Sequence, residues 1–294
     1  MRAIKETKPR RKKHGKPSMG GFVRRLTKRW STRLGIALLL FIILACLLGP
    51  FLSPYGVNSI DLDLMYAVPS KAHWLGCDAM GRDILTRLMY GGRYSIALGL
   101  SASLLSAAIG VVIGCIAGYF GSVVETGIMR FMDVWTALPA LLLCILISMV
   151  MGIGFFATVI ALTVGNIPGA VRMTRGQVLA ERNKEYVEAA ESINCSKFSI
   201  MFRHLLPNVV QPMIIITTMT IGTMMIMAAS LSYIGLGIQP PAPEWGAMLA
   251  DGRAYIRDFP HLIMVPGIAI ALTVLSVNLL GDGLRDVLDP KLRD

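Results

Sequence analysis

Residues 34–52 read LGIALLLFIILACLLGPFL, nineteen positions without a charge. Crossing ~30 Å of hydrocarbon at 1.5 Å per residue takes about 20 apolar residues. This run predicts a spanning helix. It is too long for a cleaved signal peptide, and no A-x-A-like site follows it. Five further stretches satisfy the same length rule: 95–118, 134–153, 155–171, 208–234 and 262–280. The fourth is interrupted by Asn166 and Pro168. The expected class is an all-α polytopic membrane protein with six transmembrane helices.

Composition agrees. Of 294 residues, 54% are hydrophobic and only 16% charged, against ~25% charged in soluble domains. That excludes a disordered chain, a disulfide scaffold and a fibrous repeat. The net charge is +11, and its location matters more than its size. Residues 1–33 hold thirteen basic residues and the single acid Glu6. With the N-terminus in the cytosol, 1–33, 119–133, 172–207 and 281–294 face inward and carry 23 of the 29 Lys and Arg. The outer parts, 53–94 and 235–261, carry the other six, so the positive-inside rule puts both termini in the cytosol. Three regions follow: a basic cytosolic tail (1–33), the first span with an extracytoplasmic segment (34–94), and a five-helix core (95–294) that includes the cytosolic loop 172–207. The tail reads as an orienting anchor that touches anionic lipid headgroups. Its position just before a span argues against nucleic-acid binding.

The spans contain packing signals and no mid-span charge. Ser106, Gly110, Gly114 and Gly118 recur every four residues on one face, which permits close helix approach. Packing within the chain is the simpler use of this stripe, and contact with a second subunit the alternative. The fifth span mixes methionines with threonines, and Met213, Thr217, Thr220 and Met224 are candidates to line a translocation path. For each methionine the competing role is core filling or lipid contact. Ion-coupled pumps retain buried charges, and their absence disfavours a proton-driven carrier. A P-loop, H-E-x-x-H and G-x-S-x-G are also missing. The histidines are scattered, and the five cysteines lack metal-ligand spacing. No catalysis and no metal site are expected. Cys77 is expected to be an exposed thiol, the other cysteines small hydrophobes.

The cytosolic loop is distinctive. Residues 181–207 read ERNKEYVEAAESINCSKFSIMFRHLLP. Tyr186, Val187, Ala190 and Ile193 recur at helical spacing opposite Lys184, Glu185 and Glu188. Asn194 stands where that helix would stop. Phe198, Met201 and Phe202 begin a second amphipathic stretch ahead of Pro207. Two short helices with apolar and acidic faces suit a groove on a partner. A solvated connector is the plainer use.

The loop resembles the EAA loop of ABC-transporter permeases of the binding-protein-dependent importers. Glu188-Ala189-Ala190 matches the triplet. The family's glycine four positions on is Asn194 here, which also tolerates left-handed geometry. RHLLPN (203–208) matches the ending of the peptide and nickel branch. LGCDAMGRDILTRLMYGGRYSIALGL (75–100), SYIGLGIQPPAPEWGAML (232–249) and NLLGDGLRDVLDP (278–290) resemble further segments of that branch. The N-terminal span with its outer segment resembles the "C"-type permease subunit.

The resemblance implies the type I importer permease fold, in the plasma or inner membrane of a prokaryote. It implies a sister permease, two cytosolic ATPase subunits that bind ATP and Mg, and an extracytoplasmic binding protein, with no cofactor in this chain. The implied mechanism is alternating access, with di- or oligopeptides as cargo. Nickel or a metal chelate is the alternative cargo, and an ion-coupled carrier or a non-transporting scaffold are other classes. Coupling to the ATPase would fall to Glu185, Glu188, Ala189, Ala190, Asn194, Phe198, Arg203, His204, Leu206 and Pro207. Trp74 and Trp245 are candidates to dock the binding protein, or to anchor at the headgroups.

Overall fold

The computed structural model describes residues 24–288. Most of the basic tail and the end of the 278–290 segment lie outside them. The helices are α1 (Trp30–Leu52), α2 (Ile84–Phe120), α3 (Ser122–Trp135), α4 (Ala140–Met151), α5 (Phe155–Arg182), α6 (Glu185–Ser192), α7 (Lys197–Tyr233), α8 (Trp245–Gly252) and α9 (His261–Leu288). Five of them, α1, α2, α5, α7 and α9, are long and apolar enough to cross a membrane.

The stretch 134–153 is not the single helix expected. It falls on α3 and α4, which are bent by 77° at the break between them and together have the length and apolarity of one further span. Pro139 stands at the N-terminal boundary of α4 and has no N–H to continue a helix. Helix α4 has 12 residues, only about 18 Å of rise. Residues 119–133, expected as a cytosolic loop, are mostly the amphipathic α3. Arg172 fastens its C-terminal end, donating to the carbonyl of Met132, to Asp133 Oδ1 at 3.2 Å and to Thr136 Oγ1 at 2.7 Å. Asn166 and Pro168 do not interrupt α5, which runs through both. Asn166 directs its amide onto Ser106 Oγ at 3.0 Å.

Helix α2 begins well before the expected 95. Asp83 caps it, accepting from the Thr86 N–H at 2.7 Å and the Thr86 hydroxyl at 2.6 Å. Its small-residue stripe packs inside the chain, against α5. Ser106 meets Asn166, Gly110 meets Ala170, Gly114 meets Thr174, and Gly118 meets Val178. Both series ascend together, so the two helices run parallel. A Cβ on Gly114 would lie 2.6 Å from Thr174 Cβ and 2.8 Å from the Val171 carbonyl. Helix α1 flanks this pair, packing on α2 and α9. At its cytosolic end Thr32 sits over Gly283, and Arg29 pairs with Asp286 at 2.6 Å.

Gly114→Leu should therefore destabilise the protein strongly. Overpacking alone costs about 1–3 kcal/mol, and here backbone must move. Ser106→Ala, which removes the bond accepted from Asn166 and the one donated to the Ser103 carbonyl, should cost about 2 kcal/mol. Retention of a monodisperse elution peak after heating in detergent would rank the two. Equal stability of Gly114→Leu and the parent would disprove the contact.

Candidate functional site

On the cytosolic side, α5 extends to Arg182. Arg175 pairs there with Glu125 of α3. After a short turn, α6 lays Val187 and Ala190 inward on Val178, Ile200, Met201 and Leu205. Asn194 adopts φ +58° just past the end of α6, the left-handed turn that a glycine would otherwise supply. Ser196 then caps the next helix, accepting from the Ser199 N–H. Residues Ile200–Leu205 form a π-helical turn that leads into the α-helical part at Leu206. Glu181 holds the corner. It accepts from the Tyr186 hydroxyl at 2.8 Å and also takes Lys184. Asn208 Nδ2 donates to that hydroxyl and to the His204 carbonyl. Burial, then the Glu181 hydrogen bond, push the Tyr186 phenol up to about 12. It stays a donor at every physiological pH, and the corner would loosen only as pH rises from about 10.

What this leaves exposed is a mixed acidic and apolar face. Glu185, Glu188 and Ala189 point out, with Arg203 and Pro207 beyond them. Phe198 is 66% exposed and stacks parallel to the exposed Phe202, centroids 6.4 Å apart. Lys184 is engaged by Glu181 rather than by Glu188, whose carboxylate has no partner among the described residues. Two expected members turn elsewhere. Ala190 is buried in the loop's own core, and Ile193, expected on the buried stripe, is exposed because α6 ends at Ser192. His204 and Leu206 are half-buried.

Within the membrane part, α2, α5 and α7 enclose a cavity of about 180 Å³. Ser103, Ser106, Asn166, Met213, Thr217 and Thr220 line it, and no lining residue is charged. Three of the four expected path residues are there. Met224 is not: one turn further along α7 it is buried among Leu98, Leu162 and Ala228. Ser103, Ser106 and Asn166 are polar lining residues that sequence reading did not place on the path, and Asn166 is the most informative of them. Its place in an otherwise apolar run was the available signal, read as a break in the helix.

At the outer end, Trp74 is 71% exposed, but Trp245 is only 1% exposed and cannot be a docking surface. Its indole N–H donates to the Leu88 carbonyl at 2.8 Å, and its ring fits over Gly92. Glu244, also buried, accepts from Ser95 Oγ at 2.8 Å and from the Ala247 N–H at 2.9 Å. The carboxylate thereby caps α8 and pins it to α2. Cys77 is buried rather than exposed. Desolvation, then the nearby Asp83 and Asp78, push its thiol up to about 11, leaving it unreactive.

Glu244→Ala removes the cap and should cost about 1–2 kcal/mol. Glu244→Gln keeps an acceptor and should cost less. Thermal unfolding followed by tryptophan fluorescence reads both; an unchanged Glu244→Ala would mean that α8 is held by Trp245 alone.

Comparison with known proteins matches this arrangement. Residues 110–294 match the family described as binding-protein-dependent transport system inner membrane component. Residues 19–69 match the N-terminal TM domain of oligopeptide transport permease C. The glutathione transport system permease protein GsiD of Pectobacterium atrosepticum is 44% identical over 260 residues, 88% of this chain and 86% of that protein. The di/tripeptide transport system permease protein DppC of Pseudomonas aeruginosa is 40% identical over 266 residues, 88% of each. Among solved structures, the MetNI methionine ABC transporter in an inward-facing conformation shares the fold, with TM-score 0.57 and 20% identity over 68% of this chain and 96% of that one. The chain belongs to the binding-protein-dependent transport system inner membrane component family and is a multi-pass inner-membrane permease of the ABC importers.

Proposed function

We propose that this permease forms half of the translocation path for short peptides, glutathione included. The observation that carries the reading is the uncharged cavity between α2, α5 and α7, walled by hydroxyls, one amide and methionines. Such a wall offers hydrogen bonds to a peptide backbone without selecting for a side-chain charge. The likeness to glutathione and di/tripeptide permeases supports the same cargo class.

The partners in this reading are a sister permease, two ATPase subunits that bind ATP and Mg, and an extracytoplasmic binding protein that selects the cargo. This chain itself hydrolyses nothing. The exposed face of Glu185, Glu188, Ala189, Phe198 and Arg203 docks on an ATPase, with Asn194, His204, Leu206 and Pro207 shaping the loop behind it. Closure of the ATPase pair pulls on α6, and alternating access follows. Nucleotide shifts that equilibrium only through different affinities for the two states.

In proteoliposomes with its partner subunits, the wild-type complex should drive ATP-dependent uptake of a labelled dipeptide and of glutathione. Asn166→Leu, which fills the cavity, should reduce uptake of both at least tenfold. Failure to move any peptide would refute the cargo class.

Glu188→Lys and, separately, Ala189→Trp should release the ATPase subunits during purification. Losing a docking contact of this kind costs about 2–5 kcal/mol, whereas an exposed Lys184–Glu188 pair would be worth only ~0.2–0.5 kcal/mol. Full subunit retention and uptake in both variants would remove the loop from coupling.

A further inference from the structure

A second cavity, of about 250 Å³, lies at the outer end of the bundle, apart from the membrane cavity. Its walls come from the segment before α2 and the first turn of that helix, from α8 and from the start of α9. Arg82 and Arg87 are 5% and 2% exposed, yet both line it. Arg82 is held by one edge only. Its Nε donates to Asp78 Oδ2 at 2.6 Å, and its two Nη nitrogens have no partner among the described residues. Arg87 Nη1 donates to the Val57 carbonyl and to Asn58 Oδ1, both at 3.2 Å, and its Nε lies 3.4 Å from Asp78. One carboxylate, Asp78, thus serves two guanidinium groups. Asp251 lines the same cavity within electrostatic reach of both arginines. Its carboxylate has no hydrogen bond or ion pair among the described residues. Met80 and Met248 supply apolar wall.

The Nη edge of Arg82 is open to the cavity rather than sealed in protein, so an entering ligand can reach its donors. Planar Nη pairs suit a carboxylate, which they bind in bidentate fashion. A free carboxylate in the same cavity suits an ammonium. Both charges beside an apolar wall match one ligand class, the zwitterion of an amino acid or short peptide. The volume lies just below the ~300–1,000 Å³ of drug-sized sites, the scale of a dipeptide.

We propose that this outer cavity is a binding site for zwitterionic short peptides, with Arg82 receiving the C-terminal carboxylate and Asp251 the N-terminal ammonium. The inference rests on the peptide-cargo reading and adds to it a station before the membrane cavity. Cargo leaving the binding protein would meet paired charges first and an uncharged wall second. Asp78 positions both arginines and does not itself touch the ligand.

The test uses the permease–ATPase complex in detergent, without the binding protein, and saturation-transfer NMR with the dipeptide Ala-Leu. Ala-Leu should bind in the millimolar range. Its acetylated, amidated form, which has neither charge, should bind at least tenfold more weakly. Arg82→Gln and Asp251→Asn should each weaken Ala-Leu at least tenfold. Lys71→Gln, an exposed charge on the same outer side that does not line the cavity, should change nothing. Asp251 is itself exposed, so its variant tests the site even where Arg82→Gln fails to assemble. Absence of Ala-Leu binding, equal binding of the blocked form, or competition by acetate as strong as by Ala-Leu overturns the proposal. Uptake of Ala-Leu by the fully reconstituted importer separates the two readings: uptake without outer-site binding refutes this site alone, and no uptake of any peptide refutes the cargo class.

Discussion

The contact between α2 and α5 sets the rest of the molecule. Three glycines on one helix meet Ala170, Thr174 and Val178 on the other, close enough that a Cβ on Gly114 would stand 2.6 Å from its neighbour. In a bilayer, association gains nothing from excluding water between helices, so dispersion contacts and interhelical hydrogen bonds must supply it. Close parallel packing does so along the length of the stripe. At its outer end Gly gives way to Ser106, and the separation becomes a hydrogen bond to Asn166. There the membrane cavity opens. At its inner end Val178 and Tyr119 belong to the same packed cluster as Val187 and Ala190 of α6. The cavity and the cytosolic loop thus lie at two ends of one closely packed pair. Side chains in van der Waals contact join α6 to α5, and α5 is continuous from there to the cavity.

Much of this was legible in the sequence, for reasons that sort by range. The spans followed from apolar length, and the orientation from the distribution of Lys and Arg. The stripe at 106, 110, 114 and 118 showed that α2 approaches another helix closely, but not which one, because a spacing of four describes one helix only. The break at Pro139 was visible as a residue yet not as a 77° bend, since the apolar run continues through it. Asn166 was misread for the opposite reason. Its polarity suggests an interruption when α5 is considered alone, and becomes a cross-helix bond once Ser106 is beside it. Trp245 was misjudged because its burial depends on Gly91 and Gly92, some 150 residues earlier, leaving space for Pro243 and the indole. A pair of glycines inside a helix was the available clue. In the coupling loop the exposed acids and aromatics were readable from periodicity. The corner made by Glu181, Tyr186 and Asn208 was not, being a contact between segments that no periodicity joins.

The two ends of the bundle solve the cost of buried polarity differently. Outside, charges are retained and divided among many partners: Asp83 takes His73 at 3.0 Å and both donors of Thr86, while Glu244 takes Ser95 and a helix N-terminus. Each carboxylate there ties two segments together, which gives a long non-helical stretch a fixed shape. Inside the membrane cavity there is no charge to satisfy, and hydroxyls close on backbone carbonyls instead, those of Ser106, Thr217 and Thr220 on their own helix and that of Ser103 across on α7.

That closure bears on how a path can both admit and release cargo. Thr217 donates to the Met213 carbonyl at 2.7 Å and Thr220 to the Ile216 carbonyl at 2.8 Å. Ser103 donates to the Thr217 carbonyl, Ser106 to the Ser103 carbonyl, and the Asn166 amide to Ser106. The hydroxyl donors on the cavity wall are therefore already engaged, and what remains on offer is acceptor lone pairs and methionine surface. A polar ligand passing through finds partners for its N–H groups but few donors for its carbonyls and carboxylate. It is solvated well enough to enter and held too weakly to stay. Strong binding to one state would stall the cycle, because each kcal/mol gained by the bound intermediate is returned at release. A wall whose hydroxyl donors are already engaged keeps such an intermediate shallow.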